Sequence, residues 1–255
     1  MIQVDHVNKS FGQVRAVQDL TLHVPRGQLF CFLGPNGAGK TTTVKMLAGL
    51  LRPDSGTIRL GGLDIRADAV AAKQILGYIP DMPYLYERLT TVEFVRFVGD
   101  LYGMPAAEVD RRMADGLRQF GIEAQRTSLV GELSHGQRQR LLYVTTLLHE
   151  PQVVLIDEPF IGLDPFTIRM LKDLLRAKAR EGMTILLTTH ILSVAEEIAD
   201  RIGIIAGGRL VAEGTMAEIT AITGIRGSLE DVFLKIAADE PGSALPAGEE
   251  AHARP

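Results

Sequence analysis

The sequence predicts an α/β domain built on a phosphate-binding loop and interrupted by a helical insert. Three observations predict it. Residues 34–42 read Gly-Pro-Asn-Gly-Ala-Gly-Lys-Thr-Thr, between the apolar run Leu29-Phe30-Cys31-Phe32-Leu33 and a helical-looking stretch from Thr43 to Leu51. Short continuous apolar runs, above all Val153-Val-Leu-Ile before Asp157-Glu158, have the form of buried parallel strands that deliver side chains to their C-terminal edge. Between Asp81 and about Val130 the pattern turns amphipathic, with little strand signal.

Taken in order, Ile2 to Val7 and Ala16 to Val24 read as strands, with turn signals at Asn8 to Gly12 and at Pro25-Arg26-Gly27. Phe11 lies between them in a loop, where an aromatic packs by default but is also able to stack on a purine ring. The phosphate loop follows. Its glycines let the loop, with Pro35 at its bend, curl so that the backbone N–H groups of Gly34, Asn36, Gly37, Ala38 and Gly39 surround an anion, and the following helix adds its positive N-terminal end. Lys40 places a cation on the β and γ phosphates, Thr41 is the expected Mg²⁺ ligand, and Thr42 completes the motif.

Val44 to Leu51 reads as a buried helix ended by Arg52-Pro53-Asp54-Ser55-Gly56, and Thr57 to Leu60 with Gly61-Gly62 as a hairpin. Ala67 to Gln74 is helical, and Ile75 to Ile79 is a short strand that Pro80 stops. Two amphipathic helices are predicted at Thr91 to Tyr102 and Ala107 to Phe120, joined at Gly103-Met104-Pro105. Their lead-in, Asp81-Met82-Pro83-Tyr84-Leu85-Tyr86, carries large apolar residues that either pack on these helices or form a docking surface.

Ser134 is a credible N-cap for a helix from Arg138 to Leu148. Gly162-Leu163-Asp164-Pro165 turns into a helix from Phe166 to Arg180. Met183 to Thr188 is a second buried strand that delivers Thr189-His190 to the edge holding Asp157, Glu158 and the phosphate loop. Ile191 to Ala199 is helix, Arg201 to Ile205 and Leu210 to Glu213 form a hairpin, and Thr215 and Ser228 each begin a short helix. Ser228-Leu-Glu-Asp231 has a capping-box form, and residues 238–255 have the composition of a disordered tail.

Composition narrows the rest. With 255 residues the chain is long enough for one large domain, here read as residues 1–237 with a core of 1–80 and 131–237 and a helical subdomain at 81–130. A net charge of −4 argues against nucleic acid as a partner. No run approaches the ~18 apolar residues of a membrane span, and Met1-Ile-Gln-Val-Asp resembles no signal peptide, so a cytoplasmic chain is expected. The lone Cys31 excludes an intramolecular disulfide and reads as a small core residue. His6, His23, His149 and His252 show no ligand spacing.

Lys40 and Thr41, Asp81, Asp157 with Glu158, and His190 thus converge on one edge, a grouping suited to hydrolysis of a nucleotide γ-phosphate. Asp157 has the place of the acid that holds Mg²⁺, usually through water. Glu158 is the candidate to orient and deprotonate the attacking water, and His190 to hydrogen-bond the γ-phosphate or that water.

With these residues in hand the chain resembles the nucleotide-binding subunit of an ATP-binding cassette (ABC) transporter, from Val4 to about Ile236. The matches are Gly34–Thr42, the signature-like Leu133-Ser134-His135-Gly136-Gln137, Asp157-Glu158, the turn Gly162-Leu163-Asp164, and His190, in the family's order. Phe11 falls where the family has an aromatic that stacks on adenine. The resemblance implies a RecA-like phosphate-loop core, an N-terminal antiparallel layer and an inserted helical subdomain. It implies ATP and Mg²⁺ as ligands, and a homodimer paired head to tail, in which ATP on one phosphate loop is covered by Ser134, His135, Gly136, Gln137 and Asp164 of the other copy. It also implies a separate membrane-spanning permease as partner, which places the chain on the cytoplasmic face of the membrane.

Two departures stand out. Asp81 occupies a position where most of the family has glutamine, and it could still reach Mg²⁺ or water; His135 replaces the middle glycine of the signature. Leu85 to Thr90, the Ser-His-Gly-Gln form and Ser228 to Phe233 resemble ATPase subunits of two-component exporters. A rival reading is a soluble cassette that moves no solute. Translation factors of that kind usually carry two cassettes and a charged linker, and DNA-repair relatives carry coiled coils or zinc-binding cysteines; this chain has one cassette, one cysteine and no heptad run.

Overall fold

A computed structural model describes residues 1–82, 84–160, 163–224 and 228–238, with the side chains of 222, 223 and 236–238 excepted. The expected tail from 238 onward and His252 lie outside the described residues, apart from Ala238 itself, which ends the last helix.

The chain opens with a hairpin of β1 (Ile2–Phe11) and β2 (Val14–Val24). Both strands run further than their alternation suggests, because bulges at His6 and Asp19, each with φ of 50°, break the two-residue period partway along. The turn therefore falls at Gly12, not across Asn8 to Gly12, and Phe11 ends a strand instead of sitting in a loop. With β4 (Ser55–Leu60) and β5 (Leu63–Asp64) the hairpin forms an antiparallel sheet in the order β2-β1-β4-β5.

The second sheet is assembled round β3 (Leu29–Leu33), every residue of which is buried. Its order is β10 (Arg209–Gly214), β9 (Arg201–Ala206), β3, β8 (Thr184–Thr189), β7 (Val153–Asp157), β6 (Leu76–Ile79). All neighbours are parallel except β9 and β10. The unbroken apolar runs follow from burial on both faces. Phe30 and Phe32, Val153 and Leu155, and Leu186 pack toward the antiparallel sheet. Leu29, Cys31 and Leu33, Val154 and Ile156, and Ile185 and Leu187 pack on the opposite face. Each fully buried side chain of this size contributes roughly 1.5–3 kcal/mol before entropy is counted. Cys31 is an ordinary member of this core, its thiol pushed up by burial first and by Asp200 second. The two sheets meet where Gln18 of β2 donates its backbone N–H to the Gly208 carbonyl (2.7 Å) in the β9–β10 turn.

Of the helices, α1 (Lys40–Leu47) begins four residues earlier than the apolar pattern suggests and ends at Gly49, whose φ of 66° takes the chain out of the helix. After α2 (Ala69–Gln74) come the predicted amphipathic pair α3 (Thr91–Leu101) and α4 (Ala106–Gln119). Phe94 and Val95 of α3 and Val109, Met113 and Leu117 of α4 join α5 (His135–Leu147) in one core, continuous with the second sheet. The remaining helices are α6 (Pro165–Arg180), α7 (Leu192–Ile198), α8 (Met216–Thr223) and α9 (Leu229–Ala238). Capping boxes open α3 at Thr90–Glu93, α5 at Ser134–Gln137 and α8 at Thr215–Glu218, and Ser228 exchanges the same bonds with Asp231 at the start of α9.

Candidate functional site

Sheet register decides where the chemistry gathers. Leu33 lies level with Thr189, Thr188 with Asp157, and Ile79 with Ile156, so the segments after β3, β8, β7 and β6 leave the sheet at one edge. A cavity of about 330 Å³ opens there. The phosphate loop from Asn36 to Thr42 forms one wall, and Asp81, Glu158 and His190 face it. The structure thus brings together the residues that the sequence groups on this edge.

Glycines hold the loop close to the rest of the chain. A side chain on Gly34 would place its Cβ 2.3 Å from the Ile205 carbonyl oxygen, and one on Gly39, at φ 106°, would come within 2.4 Å of the Ala16 oxygen. Gly39 hands directly to α1, which no side chain caps, so the helix offers its N-terminal amides to an anion. Lys40 is buried and donates from Nζ to the carbonyls of Gly34 (2.6 Å) and Pro35 (3.1 Å). Burial pushes its amine down, against the opposing pull of Glu158 and Asp157.

Asp157 is almost completely buried. Its Oδ1 accepts from Thr188 Oγ1 at 2.6 Å and, at a long 3.4 Å, from Thr41 Oγ1. Its Oδ2 is buried without a partner. A carboxylate oxygen left in that condition costs several kcal/mol, and a cation beside Thr41 would satisfy it. Among the described residues, no three His, Cys, Asp or Glu side chains are grouped so as to hold a metal by themselves. That suits Mg²⁺, which takes one or two protein ligands and completes its shell with phosphate and water.

Glu158 adopts the left-handed region at φ 51°, a conformation that costs a non-glycine residue of order 1 kcal/mol or more. Its N–H is held by the Thr188 carbonyl (3.2 Å) and Thr188 Oγ1 (3.1 Å). The turned backbone aims the carboxylate at His190, whose Nδ1 lies 2.9 Å and backbone N–H 3.3 Å from Oε2. The Glu158 side chain is largely covered while His190 is half exposed. Thr188 therefore serves both acids at once, donating to Asp157 and accepting from Glu158. It is the site residue that sequence reasoning passes over; a threonine ending an apolar strand level with an acid was the available signal. Tyr78 of β6 feels the same surroundings, its phenol pushed up to about 12 by burial, then by Asp157 and Asp81.

Other sequence candidates lie elsewhere. Phe11 is half exposed at the end of β1, with Lys9 Nζ 5.5 Å from its ring centroid, and is not a core packing residue. Ser134 and His135 are exposed at the start of α5, outside the cavity, and nothing stands within 4 Å of where a Cβ on Gly136 would be. Gln137 is tied to Ser134 by the capping box. Asp164 caps α6 through the Thr167 N–H (2.9 Å) and hydroxyl (2.6 Å), bonds that hold its carboxyl below the usual range, while Arg140 of α5 bonds Thr167 at 2.7 Å. Gly162 lies outside the described residues. In the lead-in to α3, Met82, Tyr84 and Tyr86 are all exposed, and the Tyr86 ring also lies 5.3 Å from Phe97 and 6.2 Å from Phe94. His149 stacks on Tyr102 at 3.6 Å, and burial pushes it down to about 4, so it is a neutral, structural histidine.

Comparison with known proteins bears on the same residues. A family model described as "ABC transporter" matches residues 17–161. The Nod factor export ATP-binding protein I of Paraburkholderia xenovorans (strain LB400) is 40% identical over 221 residues, 86% of this chain and 72% of that protein. The linearmycin resistance ATP-binding protein LnrL of Bacillus subtilis (strain 168) is 34% identical over 88% of this chain and 72% of its own length. A solved structure described as the ATP-binding subunit of an ABC transporter superposes with a TM-score of 0.88 at 35% identity, covering 92% of this chain and 99% of that one.

Proposed function

The chain belongs to the ABC transporter family, as one of its ATP-binding, ATP-hydrolysing subunits, and from that premise we propose that it powers export of a solute through a separate membrane permease by ATP-driven, head-to-tail pairing of two copies. The convergence of the phosphate loop, Asp157, Glu158 and His190 on one sheet edge carries the reading. The relatives named for Nod factor export and linearmycin resistance support export over a soluble cassette. No helix among the described residues is long and apolar enough to cross a membrane, which suits a subunit held at the cytoplasmic face by its permease.

In this reading the amides of Gly37 to Lys40 and the Lys40 ammonium bind the β and γ phosphates, the lysine exchanging its carbonyl partners for phosphate oxygens. Phe11 stacks on the base. Thr41 and Asp157 would hold Mg²⁺, which when bound neutralises charge on the phosphate oxygens, and Asp81 faces them across the cavity. Glu158 takes a proton from the attacking water, and His190, hydrogen-bonded to it, keeps the carboxylate turned toward the cavity. Ser134, His135, Gly136, Gln137 and Asp164 of one copy close over the nucleotide of the other. Pairing on ATP and loosening on hydrolysis moves the helical layer, and with it the permease.

Glu158→Gln tests the reading. It is expected to keep ATP binding, to accumulate a stable ATP-bound dimer by sedimentation, and to lose hydrolysis by roughly 10²–10⁴-fold. Normal turnover in that variant removes Glu158 as the base. Co-purification with an integral membrane protein supports the partner; a ribosome or DNA in its place would overturn it.

A further inference from the structure

Asp81 sets the charge balance of this site. The cavity is faced by the carboxylates of Asp81 and Glu158, with Asp157 buried behind Thr41, and against these three stands one ammonium, Lys40. Lys40 donates to two backbone carbonyls and meets none of the three carboxylates directly. His190 is bonded to Glu158, and among the described residues no arginine lines the cavity. A metal-free nucleoside triphosphate, bearing about four negative charges at neutral pH, would enter a pocket whose formal balance is already negative.

We propose that Asp81 makes nucleotide binding at this site depend on a divalent cation: it repels the metal-free triphosphate and favours the metal complex. The inference rests on the reading of this cavity as the ATP site. The orphaned, buried Oδ2 of Asp157 marks where positive charge is missing, and Asp81 faces that cavity from the neighbouring strand end. Asp81 acts through its charge and not as a third member of a protein cage, consistent with the absence of a three-ligand cluster among the described residues. Its carboxylate is exposed, so its influence is screened and modest. Two unit charges about 4 Å apart in water-like surroundings change an equilibrium constant by about fivefold, and because the metal-free nucleotide carries about two more negative charges than its Mg²⁺ complex, the penalty falls chiefly on the metal-free form.

The test measures equilibrium binding of a fluorescent ATP analogue at low salt, once with EDTA and once with excess Mg²⁺, for the wild-type chain, Asp81→Asn, Asp81→Gln and Lys40→Ala. The ratio of the EDTA to the Mg²⁺ dissociation constant is expected to fall about tenfold in both Asp81 variants, chiefly through tighter binding in EDTA. The effect should shrink as salt rises toward 1 M, where the screening length is about 3 Å. Because Asp81 is exposed in an irregular segment, both variants are expected to unfold at the wild-type temperature. A ratio within threefold of wild type in both overturns the proposal. Lys40→Ala separates the layers: if it abolishes binding while the Asp81 ratio stays flat, only the role of Asp81 fails. If it leaves binding intact, the nucleotide site itself is misplaced and the proposal falls with it.

Discussion

The phosphate loop and the Ser134 turn are both glycine-bearing segments that open a helix, and they are built in opposite ways. In the first, the chain's own backbone crowds the glycines: the Ile205 and Ala16 carbonyls stand where side chains on Gly34 and Gly39 would be, and α1 is left uncapped. In the second, no described residue outside its own helical turn stands within 4 Å of where a Cβ on Gly136 would be, and the helix end is already satisfied by the Ser134–Gln137 box. Capping uses a lone pair of the Ser134 hydroxyl, which leaves its proton to donate outward. One segment is therefore shaped by its own chain, and the other presents an exposed, capped helix end whose glycine is left uncrowded. That contrast supports a site completed between two copies.

The largest effect should come from Gly39→Ala. At φ 106° with Ala16 in the way, the added methyl must displace backbone. ATP binding is expected to weaken by at least about 100-fold, with a stability loss of roughly 2–4 kcal/mol, read by titration calorimetry and thermal unfolding. Near-normal binding would mean that the loop's shape is not what the crowding enforces. Ser134→Ala probes the other segment. The loss of the cap costs about 1 kcal/mol, but nucleotide binding to a single copy should be unchanged while ATP-driven pairing of the Glu158→Gln chain weakens about tenfold. If single-copy binding falls as well, the two segments do not act on separate molecules and the contrast collapses.

The smallest effect concerns the lead-in to α3. Tyr86 rests on Phe94 and Phe97, and Tyr84 projects into solvent. Tyr86→Ala is expected to lose about 1 kcal/mol of stability, and Tyr84→Ala less than about 0.5 kcal/mol, while both weaken capture of the permease and leave isolated ATPase activity intact. Unchanged capture by both would make the segment a cover for the helices and no docking surface.

By itself the sequence determined the parallel core, the order of its elements and the identity of the chemical groups. Continuous burial of both sheet faces demands unbroken apolar runs, and a phosphate loop demands its glycines, lysine and threonine in one contiguous stretch, so these are local properties. Where a bulge interrupts the period, as at His6 and Asp19, the strand outran its pattern and Phe11 passed from loop to strand end. Tertiary structure alone decided that Thr188 serves both acids, that Glu158 is turned toward His190 by a left-handed backbone, and that in the exposed lead-in to α3 the Tyr86 ring touches Phe94 and Phe97 while Tyr84 projects into solvent. The physical reason is that each depends on register between strands or packing between helices, and these join residues tens of positions apart, which no local period or motif encodes.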